Sequence, residues 1–487
     1  MRHGPGRPRV PGRRVRLRAS ALLLALLFAT GCDSGGAGGP GGTDGPGGPS
    51  GASAALDVPG EIVLASGRDV TGKGGIRQQL IDEWNNRQKN KGSGNHARLV
   101  ELPGSADQQR SQLLGALQSG SAEYDVVNLD VTWVPEFAAA GLVQQLPARL
   151  VDSDVIPSVA ATARWGDRLY AVPFNSDVGL LFYRRDYLTA AGVTNPDLGK
   201  DTGWPTVRHL IEALDAAGRK LPGRYEKGWT AQLDASYEGL TVNGIEAFAS
   251  AADGKFALTG EDGRYTGSVE DLKAGLDELR NRTQAAYTLP DAVHSDEADT
   301  LTDFAGGRTG FVRHWPYAYR TLHQSLLPEQ LGVAPLPGKA VLGGQNLALA
   351  RGSQHTGAAR DLIEFLTSRE NERCLLDAGF AATRLSAYED NNVTCTAAKP
   401  PGQAGAAPSG ERTDRMPRDP SGRPAYARGT LLPALENAVQ RPRTPFYGAF
   451  SQTFTAQLAR LQEDKPPSDG ELAGELHAQL KRALPPG

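Results

Sequence analysis

The chain has 487 residues, of which 39 % are hydrophobic and 22 % charged, and its formal charge is −3. This length predicts two or three domains, each able to bury a core, and the composition excludes a disordered, fibrous or membrane-embedded protein. The first 31 residues contain seven arginines and no acidic residue, so the remaining 456 residues carry a formal charge of −10. Because phosphate contacts need a basic surface, this acidic body argues against a nucleic-acid partner.

The amino terminus is typical of an export signal. Its arginines precede an apolar run at 21–29, which is too short to span a membrane, and Thr30-Gly31 leads directly into Cys32. Small residues that run into a cysteine resemble a bacterial lipobox. We therefore expect residues 1–31 to be a signal peptide and Cys32 to be lipid-modified. The alternative is an ordinary signal peptide followed by an incidental cysteine.

Residues 32–59 have the composition of a tether. Sixteen of the 21 positions in 33–53 are Gly, Pro or Ser, so this segment can bury almost no apolar surface and is predicted to be disordered. As a flexible coil it would span about 25 Å. We expect a protein on the extracytoplasmic face of the cell membrane, attached to the membrane through its lipid anchor only.

From residue 61 onward the pattern alternates between strand and helix. Buried strands are predicted at 61–66, 97–102 and 124–130, with apolar residues at helical spacing in the intervals between them. This order predicts an α/β fold with a doubly wound parallel sheet and right-handed crossovers. Further strands are predicted at 168–174, 178–183, 309–315, 331–337 and 341–350, and helices at 206–217, 237–251, 269–280, 296–306, 356–369 and from 446 onward. Pro, Gly and charged residues at 397–425 indicate a surface loop.

No catalytic or cofactor motif interrupts this pattern. The chain lacks an HExxH, a GxSxG, a Walker loop and a GxGxxG after a strand, and we expect no cofactor and no metal. Acid/base hydrolysis, however, needs only two carboxylates that the fold brings together. A secreted lipoprotein glycoside hydrolase that uses Asp130 and Asp177 therefore remains an alternative function.

Aromatic and hydrogen-bonding residues gather at predicted strand ends and in turns. This combination is typical of sugar binding, because aromatic rings stack on the apolar face of a pyranose while carboxylates, amides and arginines bind its hydroxyl groups. The candidates are Asp130, Trp133, Asn175, Asp177, Tyr237, Glu238, Trp315, Tyr317, Gly343, Gly344, Gln345 and Arg441.

Most of these candidates also have a structural alternative. The alternatives are a core position for the two tryptophans, a helix-start position for Asp130, Tyr237 and Glu238, a partnered structural carboxylate for Asp177, and a surface ion pair for Arg441. The indication of a sugar site lies in the occurrence of these residues together.

Several segments resemble one protein family. YAVPFNSDVGLLFYRRDYL at 170–188 resembles the crossover segment of the extracellular solute-binding proteins (family 1) of carbohydrate ABC importers. The run VLGGQNLALARGSQHTGAARDLIEFLTSRENER from 341 resembles the glycine-kinked strand and return helix of that family. YEGLTVNGIEAFAS and RPRTPFYGAFSQTF are similar to its trehalose/maltose-binding branch. The resemblance covers about 60–465.

The resemblance implies two α/β lobes joined by hinge strands, with a ligand enclosed between the lobes. Crossings between the lobes would fall near 174, 335 and 370. The first lobe would comprise 60–174 and 335–369, and the second 175–334 and 370–487. The residue pattern agrees, because the carboxyl ends of parallel strands open into a crevice where ligands bind.

The resemblance also implies a function. It implies a receptor, not an enzyme, that captures a sugar such as trehalose or maltose and delivers it to the permease subunits of an ABC importer; we expect a monomer. A non-sugar solute such as a polyamine or a peptide is a further alternative. Gln345 stands where the family has an aromatic residue. The implied sugar contacts are Asp130, Asp177, Trp315, Gly343, Gly344 and Arg441, with Arg68 or Asp69 from the loop after the first strand.

Cysteine usage predicts one disulfide. Three cysteines cannot form a disulfide scaffold or a four-cysteine zinc site. With Cys32 acylated, Cys374 and Cys395 are the two cysteines that remain in an oxidising compartment, and they flank a short loop. We therefore predict a disulfide between them. The alternative is two separately buried thiols.

Overall fold

The computed structural model describes residues 58–68, 75–252, 255–395 and 415–486. The expected signal peptide, Cys32 and nearly all of the expected tether lie outside the described residues, and so does Asp69. In the part of the chain that the structure describes, no helix has both the length and the apolar character needed to cross a membrane.

Helices and strands alternate along the described chain. Its strands are β1 (Glu61–Gly67), β2 (His96–Leu102), β3 (Val126–Asp130), β4 (Arg164–Trp165), β5 (Arg168–Leu169), β6 (Ala171–Val178), β7 (Leu180–Arg184), β8 (Lys227–Thr230), β9 (Thr309–His314), β10 (Leu331–Pro335), β11 (Val341–Leu349) and β12 (Val439–Gln440). Its α-helices are α1 (Ile76–Lys91), α2 (Ala106–Gln118), α3 (Val134–Ala139), α4 (Pro157–Ala160), α5 (Arg185–Ala190), α6 (Trp204–Ala217), α7 (Gly239–Ala251), α8 (Val269–Arg282), α9 (Glu297–Ala305), α10 (Tyr317–Leu322), α11 (Thr356–Leu366), α12 (Arg369–Asp377), α13 (Leu385–Glu389), α14 (Leu432–Glu436), α15 (Tyr447–Leu458) and α16 (Asp469–Ala483).

The first sheet is the framework of the first lobe. Its strand order is β12-β11-β3-β1-β2, and β6 also pairs with β11. The expected lobe bounds placed 175–178 and 439–440 in the second lobe, whereas both segments pair within the first sheet. β1 pairs in parallel with β2 and β3, as the sequence predicts. β11 instead runs antiparallel to both β3 and β6. The sheet is therefore mixed, because β11 arrives directly from the other lobe without the crossover connection that a parallel neighbour needs.

The second sheet, with the order β10-β7-β9-β8, is the framework of the second lobe. Two paired strands carry the chain between the sheets. β6 ends at Val178 in the first sheet and β7 begins at Leu180 in the second, so Gly179 is the junction. β10 pairs with β7, and β11 pairs with β6. The two crossings therefore run side by side, and the fold is a two-lobed α/β architecture.

Apolar patterning explains the position of these elements. The central strands β1 and β3 are buried along nearly their whole length, which is typical of parallel strands covered by helices on both faces. The helix predicted at 296–306 begins where Asp296 accepts hydrogen bonds from the backbone N of Ala298 and Asp299. The surface loop expected at 397–425 needs correction in its described part, because Met416 is 3 % exposed and Arg423 is fully buried.

The predicted disulfide is confirmed. Cys374, in α12, is bonded to Cys395, and the two residues are 21 positions apart. Arg423 donates to the backbone O of Ala387 and of Asp390, so residues on the two sides of the undescribed segment contact each other. The disulfide therefore lies next to buried residues, since Cys374 and Arg423 are both almost completely excluded from solvent.

Removal of this disulfide is expected to destabilise the protein without changing its fold. A cross-link that closes a loop of this length contributes about 3 kcal/mol, mainly by restricting the unfolded chain. We expect the free energy of unfolding of the Cys374→Ala, Cys395→Ala double variant to be lower by about that amount, which a lower urea midpoint would show. The reduced wild-type protein is the control and should match the variant. An unchanged urea midpoint in both would contradict the prediction.

Candidate functional site

A buried arginine joins residues of the two lobes. Arg441 follows β12 at the edge of the first sheet, and its side chain is 2 % exposed. Its Nη2 donates to Asp130 Oδ1 (2.9 Å) and Oδ2 (3.1 Å), and its Nη1 donates to Glu238 Oε1 (2.6 Å). Asp130 ends β3 of the first lobe, whereas Glu238 precedes α7 of the second. We call Asp130, Glu238 and Arg441 the Arg441 bridge.

Local structure holds the two carboxylates of this bridge. Thr132 donates to Asp130 Oδ1 from its backbone N (2.8 Å) and from its hydroxyl group (2.6 Å). Tyr447, at the start of α15, donates its hydroxyl group to Glu238 Oε2 (3.3 Å). Asp130 therefore caps a turn and binds Arg441 at the same time. The surface ion pair considered for Arg441 is wrong, because this ion pair is buried.

A second buried arginine, Arg77, connects the polar residues of the first sheet. Its Nη1 donates to Ser66 Oγ (3.0 Å), and its Nη2 donates to Asn175 Oδ1 (3.1 Å) and Gln345 Oε1 (3.0 Å). Asn128 Nδ2 donates to the same Ser66 Oγ (2.9 Å) and Gln345 Oε1 (2.7 Å). Asn175 and Gln345, both predicted from the sequence, are thus held by residues that the sequence analysis did not select.

One signal would have pointed to Arg77. This residue lies in the first turn of α1, where the helix dipole disfavours a cation, and it directly follows the buried Ile76. A buried arginine at a helix start needs acceptors from other elements. Ser66 and Asn128 carry no comparable signal, since each is one polar residue within an apolar strand.

The double glycine of β11 lets three elements approach one another. Gly343 is in register with Asp177 of β6, and a Cβ on Gly343 would lie 3.1 Å from Cζ3 of Trp315. Gly344 has a φ of 114°, and a Cβ on it would lie 2.5 Å from the backbone O of Asn175. Side chains at these two positions would separate β6, β11 and Trp315. The glycines therefore have a steric role in the site.

Asp177 is the carboxyl group in this region with an unused acceptor. Its buried Oδ1 accepts no hydrogen bond from the described residues. Burial raises the pKa of Asp177 to about 7; the Asp130 carboxylate adds to this rise, and Arg77 and Arg441 oppose it. Burial likewise raises the pKa of Glu238, against the effect of Arg441. The site is thus rich in carboxyl groups, and its central cation is already paired.

The tyrosine hydroxyl groups and the histidine ring in this region are uncharged near neutral pH. Burial and the Glu297 carboxylate raise the pKa of Tyr237 and Tyr317, so both phenols stay protonated. Burial lowers the pKa of His314 to about 4, so its ring is neutral near pH 7. His314 Nε2 donates to the backbone O of Glu297 (3.1 Å), and its Nδ1 accepts from Trp315 N (2.9 Å). These contacts fix the end of β9.

A cavity of about 430 Å³ opens beside Arg441. It lies between the β4–β5 hairpin, residues 256–261 and residues 439–443, and Trp165 forms part of its wall. Neither Asp177 nor Trp315 lines it. In this structure the open volume next to Arg441 is therefore separate from the side on which Asp177 and Trp315 lie.

Two predicted residues make none of the side-chain contacts described above, although the backbone N of Trp133 donates to the backbone O of Asp130. Trp133 is 4 % exposed and packs in the hydrophobic core, which is the structural alternative considered for it. Arg68 is exposed just after β1, and Asp69 lies outside the described residues. No group of three or more His, Cys, Asp or Glu side chains within the described ranges is arranged to hold a metal ion.

Comparison with known proteins identifies the family. Residues 69–373, more than half of the chain, match the bacterial extracellular solute-binding proteins. The chain belongs to this family. This solute-binding protein is 27 % identical over 315 residues to a probable ABC transporter-binding protein of Deinococcus radiodurans, an alignment that covers 62 % of this chain and 72 % of the relative.

Two further comparisons extend this result. The solute-binding protein is 29 % identical over 312 residues to an uncharacterized lipoprotein of Streptomyces antibioticus, covering 60 % of this chain and 64 % of the relative. The structure of maltose-bound T. maritima MalE3 matches 87 % of this chain and 100 % of its own length, with a TM-score of 0.68 and 23 % identity. This structural match shows the two-lobed fold.

These findings confirm the expectation of a solute-binding protein of an ABC transporter. They also confirm that the protein is not an enzyme. The glycoside hydrolase alternative finds no support, because the matching family is one of solute-binding proteins.

The raised pKa of Asp177 makes stability depend on pH. Between about pH 4 and pH 7 the folded protein retains a proton on Asp177 that the unfolded chain releases, so stability falls as the pH rises through this range. The cost is about 1.4 kcal/mol for each unit of pKa shift. We expect the Asp177→Asn variant to gain stability over the wild type progressively from pH 5 to pH 8. The melting temperatures of both proteins across this range measure the gain.

The matched control is Asp464→Asn, which changes an exposed carboxylate. Its melting temperature should follow that of the wild type at every pH. An offset between Asp177→Asn and the wild type that is the same at pH 5 and pH 8 would show that ionisation of Asp177 is not the cause.

Proposed function

We propose that this protein captures a sugar of disaccharide size, such as trehalose or maltose, between its two lobes and delivers it to the permease of an ABC importer. The observation that carries the proposal is the Arg441 bridge, in which one guanidinium binds a carboxylate from each lobe. A sugar with hydroxyl groups on both sides would engage the same groups. Its binding would favour the state in which the lobes are closed over it.

The chemistry around the bridge supports a sugar. Trp315 offers an aromatic ring, Tyr237 and Tyr317 offer protonated phenols, and Asp177 offers an acceptor that no described residue uses. A hydrogen bond between a hydroxyl group and a charged partner contributes about 1.5–3 kcal/mol. The structural relative from T. maritima is described as maltose-bound, which is consistent with this class of ligand.

An anionic solute fits this site less well. Arg441 is already bound to two carboxylates, and Asp177 adds a third carboxyl group nearby. A phosphate or carboxylate would have to displace these groups and would then leave them buried without a partner. The site therefore favours an uncharged polyhydroxy ligand.

We also propose that the mature protein is a lipoprotein that is anchored through Cys32. The arginine-rich segment, the apolar run 21–29 and the small residues before Cys32 support this proposal. One relative, from Streptomyces antibioticus, is named a lipoprotein. The acylated cysteine and the Gly/Pro/Ser-rich segment would hold the binding lobes on the outer face of the membrane.

Single substitutions at the site should weaken sugar binding without unfolding the protein. A thermal-shift panel of mono- and disaccharides first identifies the sugar, because a ligand that binds the native state raises its melting temperature. Arg441→Ala, Asp177→Ala and Trp315→Ala are then titrated with that sugar by calorimetry. Loss of Arg441, or of Asp177 above about pH 7 where it is ionised, removes a charged partner and should cost about 1.5–3 kcal/mol, or roughly tenfold to more than a hundredfold in affinity. Loss of the Trp315 ring should also weaken binding, because its stacking surface is removed.

The matched control for this series is Trp165→Ala. Trp165 is also a half-buried tryptophan, but it lines the cavity on the other side of Arg441. Its replacement should leave the affinity within about threefold of the wild type, well below the effect of a lost charged contact. Wild-type affinity in all three site variants would show that the sugar binds elsewhere. A large fall in the ligand-free melting temperature of Trp315→Ala would show that Trp315 is a structural residue of the core and not a ligand contact.

Lipid attachment is tested separately by cell fractionation. We expect Cys32→Ala to move the protein from the membrane fraction to the medium or to accumulate it as unprocessed precursor, because the acceptor for the acyl chain is lost. Ser34→Ala, which leaves the cysteine in place, is the control and should stay with the membrane. A processed Cys32→Ala protein that remains membrane-bound would contradict the proposal.

A further inference from the structure

A buried ion pair lies where both strands cross between the lobes. The side chains of Glu246, in α7, and Arg313, in β9, are each 1 % exposed. Arg313 Nη2 donates to Glu246 Oε1 (2.7 Å), and its Nε donates to Oε2 (3.1 Å). A buried ion pair is often no more stabilising than apolar residues of the same volume, because desolvation offsets the attraction. A contribution to stability alone therefore does not explain why the protein has a buried ion pair at this position.

Both crossings contact this ion pair. The backbone N of Val341, the first residue of β11, donates to Glu246 Oε1 (3.1 Å). A Cβ on Gly179, the junction of β6 and β7, would overlap Glu246 Oε1 and lie 3.0 Å from Arg313 Nη2. Gly179 N in turn donates to Val341 O (3.3 Å). We call Gly179, Glu246, Arg313 and Val341 the hinge clamp.

The hinge clamp continues into the candidate site through Trp315. The guanidinium carbon of Arg313 lies 3.8 Å from the centroid of the Trp315 indole, which is a cation–π contact. Trp315 Nε1 donates to Glu297 Oε1 (3.2 Å). The indole is thus held on one face by the guanidinium and at its nitrogen by a carboxylate. A ring held in this way is pre-organised for stacking.

We propose that the Glu246–Arg313 pair is a positioning element for sugar binding. It fixes the two hinge crossings and the Trp315 ring in one unit, so that sugar affinity depends on it although neither side chain reaches the ligand. This inference rests on the proposed function. It adds that the hinge crossings and Trp315 are held by the same buried ion pair, so a change in this pair alters the position of the crossings and of the Trp315 ring.

The test removes the charges and keeps the volume. The double variant Glu246→Leu, Arg313→Met leaves apolar side chains of similar size at both positions, a replacement that buried ion pairs often tolerate. The matched control is Arg184→Met, Asp186→Leu, which removes another largely buried pair at the far end of β7 (2.6 Å; side chains 7 % and 20 % exposed). If the clamp double variant does not fold, Glu246→Gln, Arg313→Met is used in its place, because it also removes both charges and keeps an acceptor for the backbone N of Val341.

The first measurement needs no ligand. The quenching of Trp315 fluorescence by acrylamide is obtained by subtracting the fluorescence of the Trp315→Phe counterpart from that of each protein at every acrylamide concentration. We expect quenching of Trp315 to increase at least twofold in the clamp variant, because the ring loses its fixed contact, and to stay unchanged in the control. If the pair were purely structural, the apolar side chain that replaces Arg313 would shield the ring equally well. Unchanged quenching in the clamp variant therefore overturns the inference.

The second measurement is calorimetric titration with maltose and with trehalose. We expect the clamp variant to bind at least tenfold more weakly than the wild type, and the control variant to bind like the wild type. Equal affinity in the clamp variant and the control overturns the inference. If the wild type binds no sugar in the panel, the proposed function fails, whereas the quenching measurement still decides whether the clamp positions Trp315.

Discussion

The structure depends on one buried cation. Arg441 is removed from water, and such a charge is tolerated only because carboxylates take up its N–H groups. These carboxylates, Asp130 and Glu238, belong to different lobes, so the same interaction satisfies the cation and joins the lobes. Under the proposed function, a solute that binds at Arg441 would share or replace these contacts. Because the cation is already paired, the site would favour hydroxyl groups over negative charge.

Two of the connections between the lobes are sheet strands that pair with each other. β6 continues into β7, and β11 follows β10 after a short turn, so each crossing is hydrogen-bonded to the other. A side chain on Gly344 would press against the backbone of β6, and one on Gly179 would overlap the Glu246 carboxylate. Such a hinge permits a change in the angle between two rigid lobes while each sheet keeps its core. The buried charges at Glu246 and Arg313 lie at the centre of this hinge.

The sequence was most informative where structure is local. Periodicity predicted β1, β2 and β3 and their parallel pairing, and cysteine usage predicted the disulfide. All three residues of the Arg441 bridge were candidates, but their mutual contacts were not predicted, since Asp130 and Arg441 are 311 positions apart. The antiparallel direction of β11 and the contact of Arg77 with Gln345, 268 positions apart, also depend on tertiary packing that no local pattern encodes.

The most direct test of this account is the crystal structure of the protein with the sugar that raises its melting temperature most. The account predicts electron density for the sugar between the lobes, in hydrogen-bond contact with Arg441 and Asp177 and stacked on Trp315. Density for the sugar in the cavity beside Trp165, without contact to Asp177 or Trp315, would contradict it.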